Sequence, residues 1–275
     1  MPNVKLPTGV DLYYETHGQG EPLIFVPSTA YSGEVWKPSQ MPLADSLNLI
    51  FHDPRGCGRS VAQQSVYTIE LMAMDIVALM DHIGCPSAHF IGHSMGGRIA
   101  LSLAQNFPGR VKSLIMAAAG SGTAGRAGPD CVPGLPFEWV HDMVRLGFEK
   151  FVREEIVDTD TFFTDAYRKS HPAEVEAFYK LAWETHAKLP EFIQLVMARH
   201  SFEGTHRLGD VRCPTMVLIG AGDTVGSNHV AQAQVLKDRI PGAELKVLEG
   251  QTHGFFWEDP EGTNDVILSW VKRHS

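Results

Sequence analysis

A serine flanked by two glycines is the residue in this chain best suited to nucleophilic chemistry. Ser94 stands in the run Gly92-His93-Ser94-Met95-Gly96, after an apolar stretch and before an alanine-rich helical pattern. On a sharp turn from strand to helix the serine holds a strained backbone, and neighbours with a Cβ would clash with either element. The turn presents the hydroxyl at the helix N-terminus, where the Met95 amide can stabilise an oxyanion. The spacing therefore predicts a nucleophile elbow at Ser94.

A serine nucleophile requires a base to take its proton, and thirteen histidines are candidates. His253 lies in the loop between the last predicted strand and the last predicted helix. His93 adjoins the elbow, but its side chain points away from that of Ser94, and we interpret it as a structural histidine packed behind the turn. The histidines without a comparable setting include His52, His89 and His229.

The base in turn needs an acidic partner that orients its ring. Asp223 follows directly on a buried strand, at the end of the run Gly220-Ala221-Gly222-Asp223. A buried carboxylate there would fix the tautomer of the histidine and stabilise the imidazolium. Asp210 is the next competitor, but it precedes the strand and so lies at the wrong end of the sheet. We predict that Asp223 is the acid.

The elements that position these residues follow a regular alternation. Strands are predicted at 10–16, 22–26, 47–52, 87–91, 111–119, 214–220 and 243–249, and helices at 69–84, 98–105, 230–240 and 262–274. Strands that alternate with helices predict an α/β fold, with a mostly parallel sheet covered by helices on both faces.

Residues 120 to 208 interrupt this alternation. The segment opens with a glycine-rich run and shows no buried strand. Helices are predicted in it at 137–148, 151–157, 159–169, 172–188 and 190–201. We interpret the insertion as an all-helical lid over the carboxyl ends of the strands, with residues 121–208 as the lid and residues 1–120 and 209–275 as the core. The alternative is a separate helical domain with a partner of its own.

Composition narrows the class of protein. The chain has 275 residues, of which 44% are hydrophobic and 20% charged, with a net charge of −9. These values are typical of a globular enzyme and disfavour nucleic acid or anionic membranes as partners. No apolar run approaches the roughly 20 residues of a membrane span, and the N-terminus lacks the apolar core of a signal peptide. The four cysteines lie far apart. They indicate free thiols in the cytoplasm and no metal site.

These features together resemble the α/β-hydrolase superfamily. The shared order is a strand, a serine elbow, a helical insertion, an acid and a histidine, with a loop of the pattern Asp53-Pro-Arg-Gly-Cys-Gly-Arg-Ser60. The resemblance covers essentially the whole chain and implies an eight-stranded sheet, a lid and no cofactor. It also implies that Asp223 is the acid and that His253, which precedes an apolar run and an Asp-Pro pair, is the base. Some members place the acid after the preceding strand, where residues 117–122 hold no carboxylate.

The oxyanion loop departs from the family pattern. Relatives usually carry His-Gly after the first buried strand, where this chain has Pro27-Ser28. Because the donors are backbone N–H groups, the change of side chains need not abolish the site. We predict that Thr29 supplies the second amide beside Met95. Predicted substrate contacts are Ser28, Trp139 and Trp183, although aromatic side chains at helical spacing more often belong to a core.

The reaction predicted from these residues is hydrolysis of a small carboxylic ester or lactone through an acyl-enzyme intermediate. Hydrolysis of a C–C bond in a ring-cleavage diketone is the runner-up, and amide hydrolysis and cofactor-free perhydrolysis stay open. An aspartate at the elbow, which epoxide hydrolases and haloalkane dehalogenases need, is replaced here by Ser94. A ligand-binding receptor with a hydrolase fold is the alternative from another class. The sequence leaves a homodimer open.

Overall fold

The computed structural model describes residues 3–63, 66–122, 137–154, 162–224 and 229–275. Its strands join in one sheet with the order β1-β2-β4-β3-β6-β7-β8-β9, and the two-residue β5 pairs with β2. The strands are β1 (Asn3–Lys5), β2 (Val10–His17), β3 (Glu21–Val26), β4 (Leu47–His52), β5 (Val61–Ala62), β6 (Ala88–His93), β7 (Val111–Ala117), β8 (Thr215–Gly220) and β9 (Glu244–Leu248). This arrangement confirms the predicted α/β fold class.

The sheet is antiparallel at one edge and parallel elsewhere. β2 pairs antiparallel with β1 and β4, whereas the pairs from β4 through β3, β6, β7 and β8 to β9 are all parallel. Every residue of β6 and of β8 is buried. Strands buried on both faces require continuous apolar runs, which explains why these segments lack a polar alternation. The carboxyl ends of the parallel strands therefore share one edge of the sheet, where the candidate site lies.

The helices are α1 (Lys37–Gln40), α2 (Ile69–His82), α3 (Met95–Asn106), α4 (Phe137–Leu146), α5 (Phe148–Val152), α6 (Asp165–Ser170), α7 (Pro172–Glu184), α8 (Leu189–Ser201), α9 (His229–Arg239), α10 (Phe255–Glu258) and α11 (Pro260–Arg273). Local signals account for several ends. The Thr68 hydroxyl accepts from the Leu71 N–H at 3.0 Å at the start of α2. The Asp259 carboxylate caps α11 by accepting from the Gly262 N–H at 2.9 Å.

The helices α4 to α8 come between β7 and β8 along the chain, where the sequence predicts an insertion. Buried side chains of this segment, such as Phe151 and Phe192, belong to the same hydrophobic cluster as the strands. A second buried cluster joins Tyr31 of the core to Phe162 and Phe178 of the insertion. The insertion therefore packs on the sheet domain through apolar contacts. Its role as a lid stays a prediction.

Some predicted bounds are wrong in detail. The strand predicted at 111–119 ends at Ala117, because Ala118 has a φ of +48° that turns the chain. The helix predicted from residue 98 begins at Met95, directly after the elbow. The helix predicted at 159–169 is α6, which begins at Asp165, and the first residues of that prediction lie outside the described ranges.

The described residues also bear on cysteines, metals and membranes. Cys57, Cys85 and Cys213 are free thiols, and Cys131 lies outside the described ranges. Within those ranges, His, Cys, Asp and Glu side chains do not gather in threes as a metal site requires. Each helix that the structure describes is too short or too polar to cross a bilayer.

Candidate active site

Ser94 occupies a sharp turn between β6 and α3. Its backbone lies in the left-handed region, with φ +55° and ψ −116°. The Ser94 N–H donates to the Ala117 carbonyl at 2.9 Å, which ties the turn to the end of β7. Such a conformation costs a non-glycine residue about 1–3 kcal/mol and persists only where the surrounding structure enforces it. The predicted elbow conformation is thus present at the predicted residue.

The glycines of the elbow allow two close backbone contacts. A Cβ on Gly92 would lie 2.6 Å from the Gly97 nitrogen, and a Cβ on Gly96 would lie 2.6 Å from the Pro27 carbonyl oxygen. Real Cβ atoms do not approach other atoms so closely, so both positions require glycine. The contact at Gly96 also shows that the first turn of α3 lies directly against the loop after β3. The elbow and the predicted oxyanion loop are therefore neighbours.

His253 and Asp223 form a buried hydrogen-bonded pair. His253 Nδ1 lies 2.8 Å from Asp223 Oδ2, and each residue is only 2% exposed. The two loops that carry them, after β9 and after β8, are joined because the Gly222 N–H donates to the Gln251 carbonyl at 2.9 Å. With Nδ1 facing the carboxylate, Nε2 is directed to the opposite side of the ring. Asp210, the competing acid, instead pairs with Arg207 at 3.0 Å near the surface.

The other candidate histidines have structural surroundings. His93 Nε2 lies 3.0 Å from the His253 carbonyl oxygen, and the two rings are 4.5 Å apart. His89 is buried and bonds Ser113 Oγ at 2.7 Å. Burial lowers the pKa of His52 to about 4. The side chain of His229 lies outside the described residues.

The predicted oxyanion loop forms a tight turn without the usual glycine. The Tyr31 N–H donates to the Ser28 carbonyl at 3.3 Å, and Ala30 within the turn has a φ of +68°. The Ala30 carbonyl accepts at 2.9 Å from the N–H of Ala187, which lies between α7 and α8. This bond from the helical insertion holds the turn from outside. An alanine thus takes the left-handed conformation, which a neighbouring segment supports.

Both predicted tryptophan contacts lie half-buried in the helical insertion. Trp139 stacks on Phe192 with centroids 6.2 Å apart, and the Arg199 guanidinium lies 5.5 Å from the Trp139 ring. Trp183 stacks on His186 at 5.7 Å. Trp139 is linked to the oxyanion loop through Arg199. The described ring contacts of Trp183 are with Phe148 and His186, both in the helical insertion.

Sequence reasoning missed Arg199, which belongs to the last turn of α8. Its Nη1 donates to Thr29 Oγ1 at 3.4 Å. Its own carbonyl oxygen accepts a hydrogen bond from Arg98 Nη1, one helical turn beyond Ser94. No local pattern around residue 199 indicates these contacts, because they join segments far apart in the sequence.

Sequence reasoning also missed a set of bonds between the insertion and the histidine loop. The Phe162 carbonyl accepts from Thr252 Oγ1 at 2.8 Å and from the Gly254 N–H at 2.6 Å, on the two sides of His253. The Phe162 ring packs on the His253 ring at 5.7 Å. The Glu258 carboxylate accepts from the Thr164 N–H and, at 3.3 Å, from its hydroxyl. Burial raises the pKa of Glu258. We call these contacts the histidine-loop latch.

The geometry agrees with what comparisons with known proteins find. A family model described as alpha/beta hydrolase fold matches residues 21–260. The chain is 27% identical to a putative carbamate hydrolase RutD of Azorhizobium caulinodans over 266 residues, 94% of each chain. It is 29% identical to 3-oxoadipate enol-lactonase 2 of Acinetobacter baylyi over 273 residues, 96% of this chain and 94% of that protein. Among solved structures, Est816, described as an N-acyl homoserine lactone degrading enzyme, is similar with a TM-score of 0.79 and 25% identity, covering 95% and 97% of the two chains.

The strained serine turn and the buried acid–histidine pair lie at the carboxyl edge of a mostly parallel sheet, as in a hydrolase of the α/β class. The family match spans most of the chain, which therefore belongs to the alpha/beta hydrolase fold family. This confirms the resemblance that the sequence indicates and identifies the protein as an enzyme of that family.

Proposed function

We propose that the protein hydrolyses a carboxylic ester or a lactone through an acyl-enzyme intermediate. The observation that carries the proposal is the buried hydrogen bond of 2.8 Å between Asp223 and His253, beside an elbow that holds Ser94 at a φ of +55°. A histidine that a carboxylate orients is the base that activates a serine hydroxyl as a nucleophile, and the elbow places Ser94 at the N-terminus of α3.

In this mechanism Ser94 Oγ attacks the carbonyl carbon of the substrate while His253 takes the hydroxyl proton. Asp223 orients the ring and stabilises the imidazolium. The amides of Thr29 and Met95 receive the negative oxygen of the tetrahedral intermediate. Collapse of the intermediate breaks the bond between the carbonyl carbon and the alkoxy oxygen, which takes the proton from His253; an ester releases the alcohol, whereas a lactone opens and keeps it attached to the acyl group. Water then repeats the sequence on the acyl-enzyme and releases the acid.

Two further observations support the proposal. Two of the relatives are named as a putative carbamate hydrolase and an enol-lactonase, and carbamates and lactones both contain a carbonyl carbon bonded to oxygen. The helical insertion contacts both the oxyanion loop, at Thr29, and the histidine loop, at Gly254. We propose that residues 121–208 act as the lid and exclude water from the acyl-enzyme until the first product leaves.

The likeness to a carbamate hydrolase supports a carbamate as a second candidate substrate. The same serine, base and oxyanion donors serve both bonds, because each reaction passes through a tetrahedral oxyanion. Parallel assays of a chromogenic ester and the matching aryl carbamate, with the same leaving group, separate the two candidates by their kcat/KM values.

A fluorophosphonate probe together with the Ser94→Ala variant tests the proposal. The wild type should be labelled at Ser94 and should hydrolyse short 4-nitrophenyl esters, and Ser94→Ala should lose about four or more orders of magnitude in turnover. Ser269→Ala, which removes an exposed hydroxyl on α11, is the matched control and should keep full activity. Retention of more than a few per cent activity by folded Ser94→Ala would contradict the mechanism. Ligand-induced thermal stabilisation without labelling or turnover would indicate a receptor.

A further inference from the structure

We infer that Arg199 forms a subsite for a carboxylate group of the substrate, so that the preferred ester or lactone carries a negative charge on its acyl part. The inference rests on the proposed function. It is drawn from the position of one guanidinium, which reaches from the helical insertion to the residue whose amide is the proposed oxyanion donor.

The position of Arg199 is fixed from two sides. Its backbone is held against α3, because the Arg98 guanidinium donates to the Arg199 carbonyl. Arg98 lies one helical turn beyond Ser94, so this bond couples the end of α8 to the elbow helix. Its side chain extends to Thr29 Oγ1, at 3.4 Å. The arginine therefore spans the elbow helix and the oxyanion loop, the two elements that supply the proposed oxyanion amides.

Further contacts fix the plane and the reach of the guanidinium. The Trp139 ring lies 5.5 Å from its central carbon, and His200 Nε2 lies 2.7 Å from Nη2. An aromatic face and a neighbouring ring nitrogen restrict the rotamers of a long side chain. A guanidinium that is already ordered loses less entropy when it binds a ligand. The side chain is thus preorganised beside the oxyanion loop.

The chemistry of this group selects a carboxylate. A guanidinium donates two parallel N–H bonds that match the spacing of carboxylate oxygens. Thr29 carries both the hydroxyl that Arg199 contacts and the proposed oxyanion amide. The Arg199 guanidinium therefore lies within roughly 6.5 Å of that amide. A substrate bonded at both points has its carboxylate a few carbon atoms from the reacting carbonyl. A short dicarboxylic half-ester meets that spacing.

The charge of the whole protein makes a local cation favourable for binding such a substrate. The net charge of −9 repels anions from the surface. A positive group beside the reacting carbonyl offsets that repulsion where it matters for binding. Neutral esters experience no such repulsion, so Arg199 affects the selectivity between substrates rather than the chemical step.

Two matched 4-nitrophenyl esters test the subsite. The glutarate half-ester carries the carboxylate, and the 5-methylhexanoate ester has an isopropyl group in its place. We expect the wild type to prefer the glutarate ester, after subtraction of its uncatalysed hydrolysis. Arg199→Gln should lower the ratio of kcat/KM for the glutarate ester to kcat/KM for the neutral ester by on the order of 10²-fold, mainly through the KM of the glutarate ester. Arg199→Lys should retain part of the preference, because lysine keeps the positive charge but lacks the two parallel N–H donors.

The design separates the competing explanations. The ratio of the two kcat/KM values on one preparation does not depend on how much protein is folded. Arg145→Gln removes an exposed charge from α4 of the same insertion and should leave the ratio unchanged. An equal loss on both esters in Arg199→Gln would mean that the arginine only positions the Thr29 loop, and an equal change in Arg145→Gln would mean diffuse attraction. Either result overturns the subsite.

The failure of the proposed function is recognised separately. If Ser94 resists the fluorophosphonate probe and the wild type hydrolyses neither ester, the proposed function fails, and the subsite fails with it. If Ser94 reacts with the probe and the glutarate ester is not the better substrate, the subsite alone is wrong.

Discussion

At the scale of single residues, Asp223 contributes through its hydrogen bond to His253, and its role can be separated from packing. Asp223→Asn keeps the size of the side chain but favours the wrong histidine tautomer. We expect the maximal rate to fall by roughly 10⁴-fold with substrate binding retained. The measurement is kcat and KM for a 4-nitrophenyl ester, with Asp210→Asn as the control, since Asp210 pairs with Arg207 away from His253. A strong effect of Asp210→Asn beside a mild effect of Asp223→Asn would show that Asp210, and not Asp223, is the acid.

The same pair supplies a test of cooperation. The residues of a triad act as a unit, so the double variant Asp223→Asn/His253→Ala should be little slower than His253→Ala alone. Multiplicative losses would place one of the two residues in a separate role.

The oxyanion loop gives a second prediction at this scale. Thr29→Val removes the hydroxyl but keeps the amide, and should cost less than about threefold in kcat on the neutral 5-methylhexanoate ester. Thr29→Pro removes the N–H and should cost about 10²–10³ in rate. Melting curves must first show that both variants fold, because the adjacent Ala30 already holds a φ of +68°. If the valine variant is as slow as the proline variant, the Thr29 hydroxyl, rather than the amide, donates to the oxyanion.

At the scale of elements, the histidine-loop latch connects the helical insertion to the loop after β9. The Glu258 carboxylate accepts from both donors of Thr164 and, at 3.4 Å, from Thr252 Oγ1. Glu258→Gln leaves a single acceptor oxygen and places an NH₂ group against donors. We expect kcat to fall roughly tenfold with KM little changed, because His253 is displaced. We also expect the free energy of unfolding to fall by about 1–3 kcal/mol.

Glu261→Gln is the matched control for this variant, since Glu261 is exposed in the first turn of α11. It should change neither kcat nor the melting temperature. A Glu258→Gln variant that melts earlier but keeps the wild-type kcat would show that the latch stabilises the fold without positioning His253.

Much of the fold follows from patterns that are local in the sequence. The predicted β4 has the bounds that the structure has, Leu47–His52, because a short apolar run between polar residues has one favourable state. The bounds that were wrong, at Ala118 and Met95, depend on backbone conformations imposed by neighbouring strands. Local propensity does not record such tertiary contacts.

The candidate site divides in the same way. Ser94, Asp223 and His253 stand at the ends of predicted strands, so their meeting at one edge of the sheet follows from the topology, and their catalytic roles stay predictions. Arg199 and Phe162 contact the site from 170 and 90 residues away along the chain. Their roles depend on how the insertion packs on the sheet, and single helices give no signal for that arrangement.

At the scale of the whole molecule, buried histidines set how stability depends on pH. Burial lowers the pKa of His52 from 6.5 to about 4, and burial does the same for His186. Each is therefore neutral in the folded protein at pH 5, where the unfolded chain binds the proton. Stability is lost as the pH falls from about 6.5 towards 4, by about 2 kcal/mol per histidine at pH 5.

Removing one of these groups should flatten that dependence. His52→Phe should lose several degrees less in melting temperature between pH 7.5 and pH 5 than the wild type does. The comparison of slopes is independent of any change in stability at neutral pH. His141→Phe is the control, since its side chain is 65% exposed, and it should keep the wild-type slope. A wild-type slope in His52→Phe would show that other groups dominate acid destabilisation.

The carbonyl of Phe162, which bonds to residues on both sides of His253, also limits how homologous proteins can be recombined. A chimera that exchanges the helical segment from residue 165 onward leaves this carbonyl and Thr164 in place, and with them the native support of the histidine loop. A crossover placed before residue 162 replaces that support with a foreign backbone. Libraries built with the earlier crossover would therefore replace the supports of both the histidine loop and the oxyanion loop, whereas the later crossover keeps the former and exchanges only the contacts of Ala187 and Arg199 with the oxyanion loop.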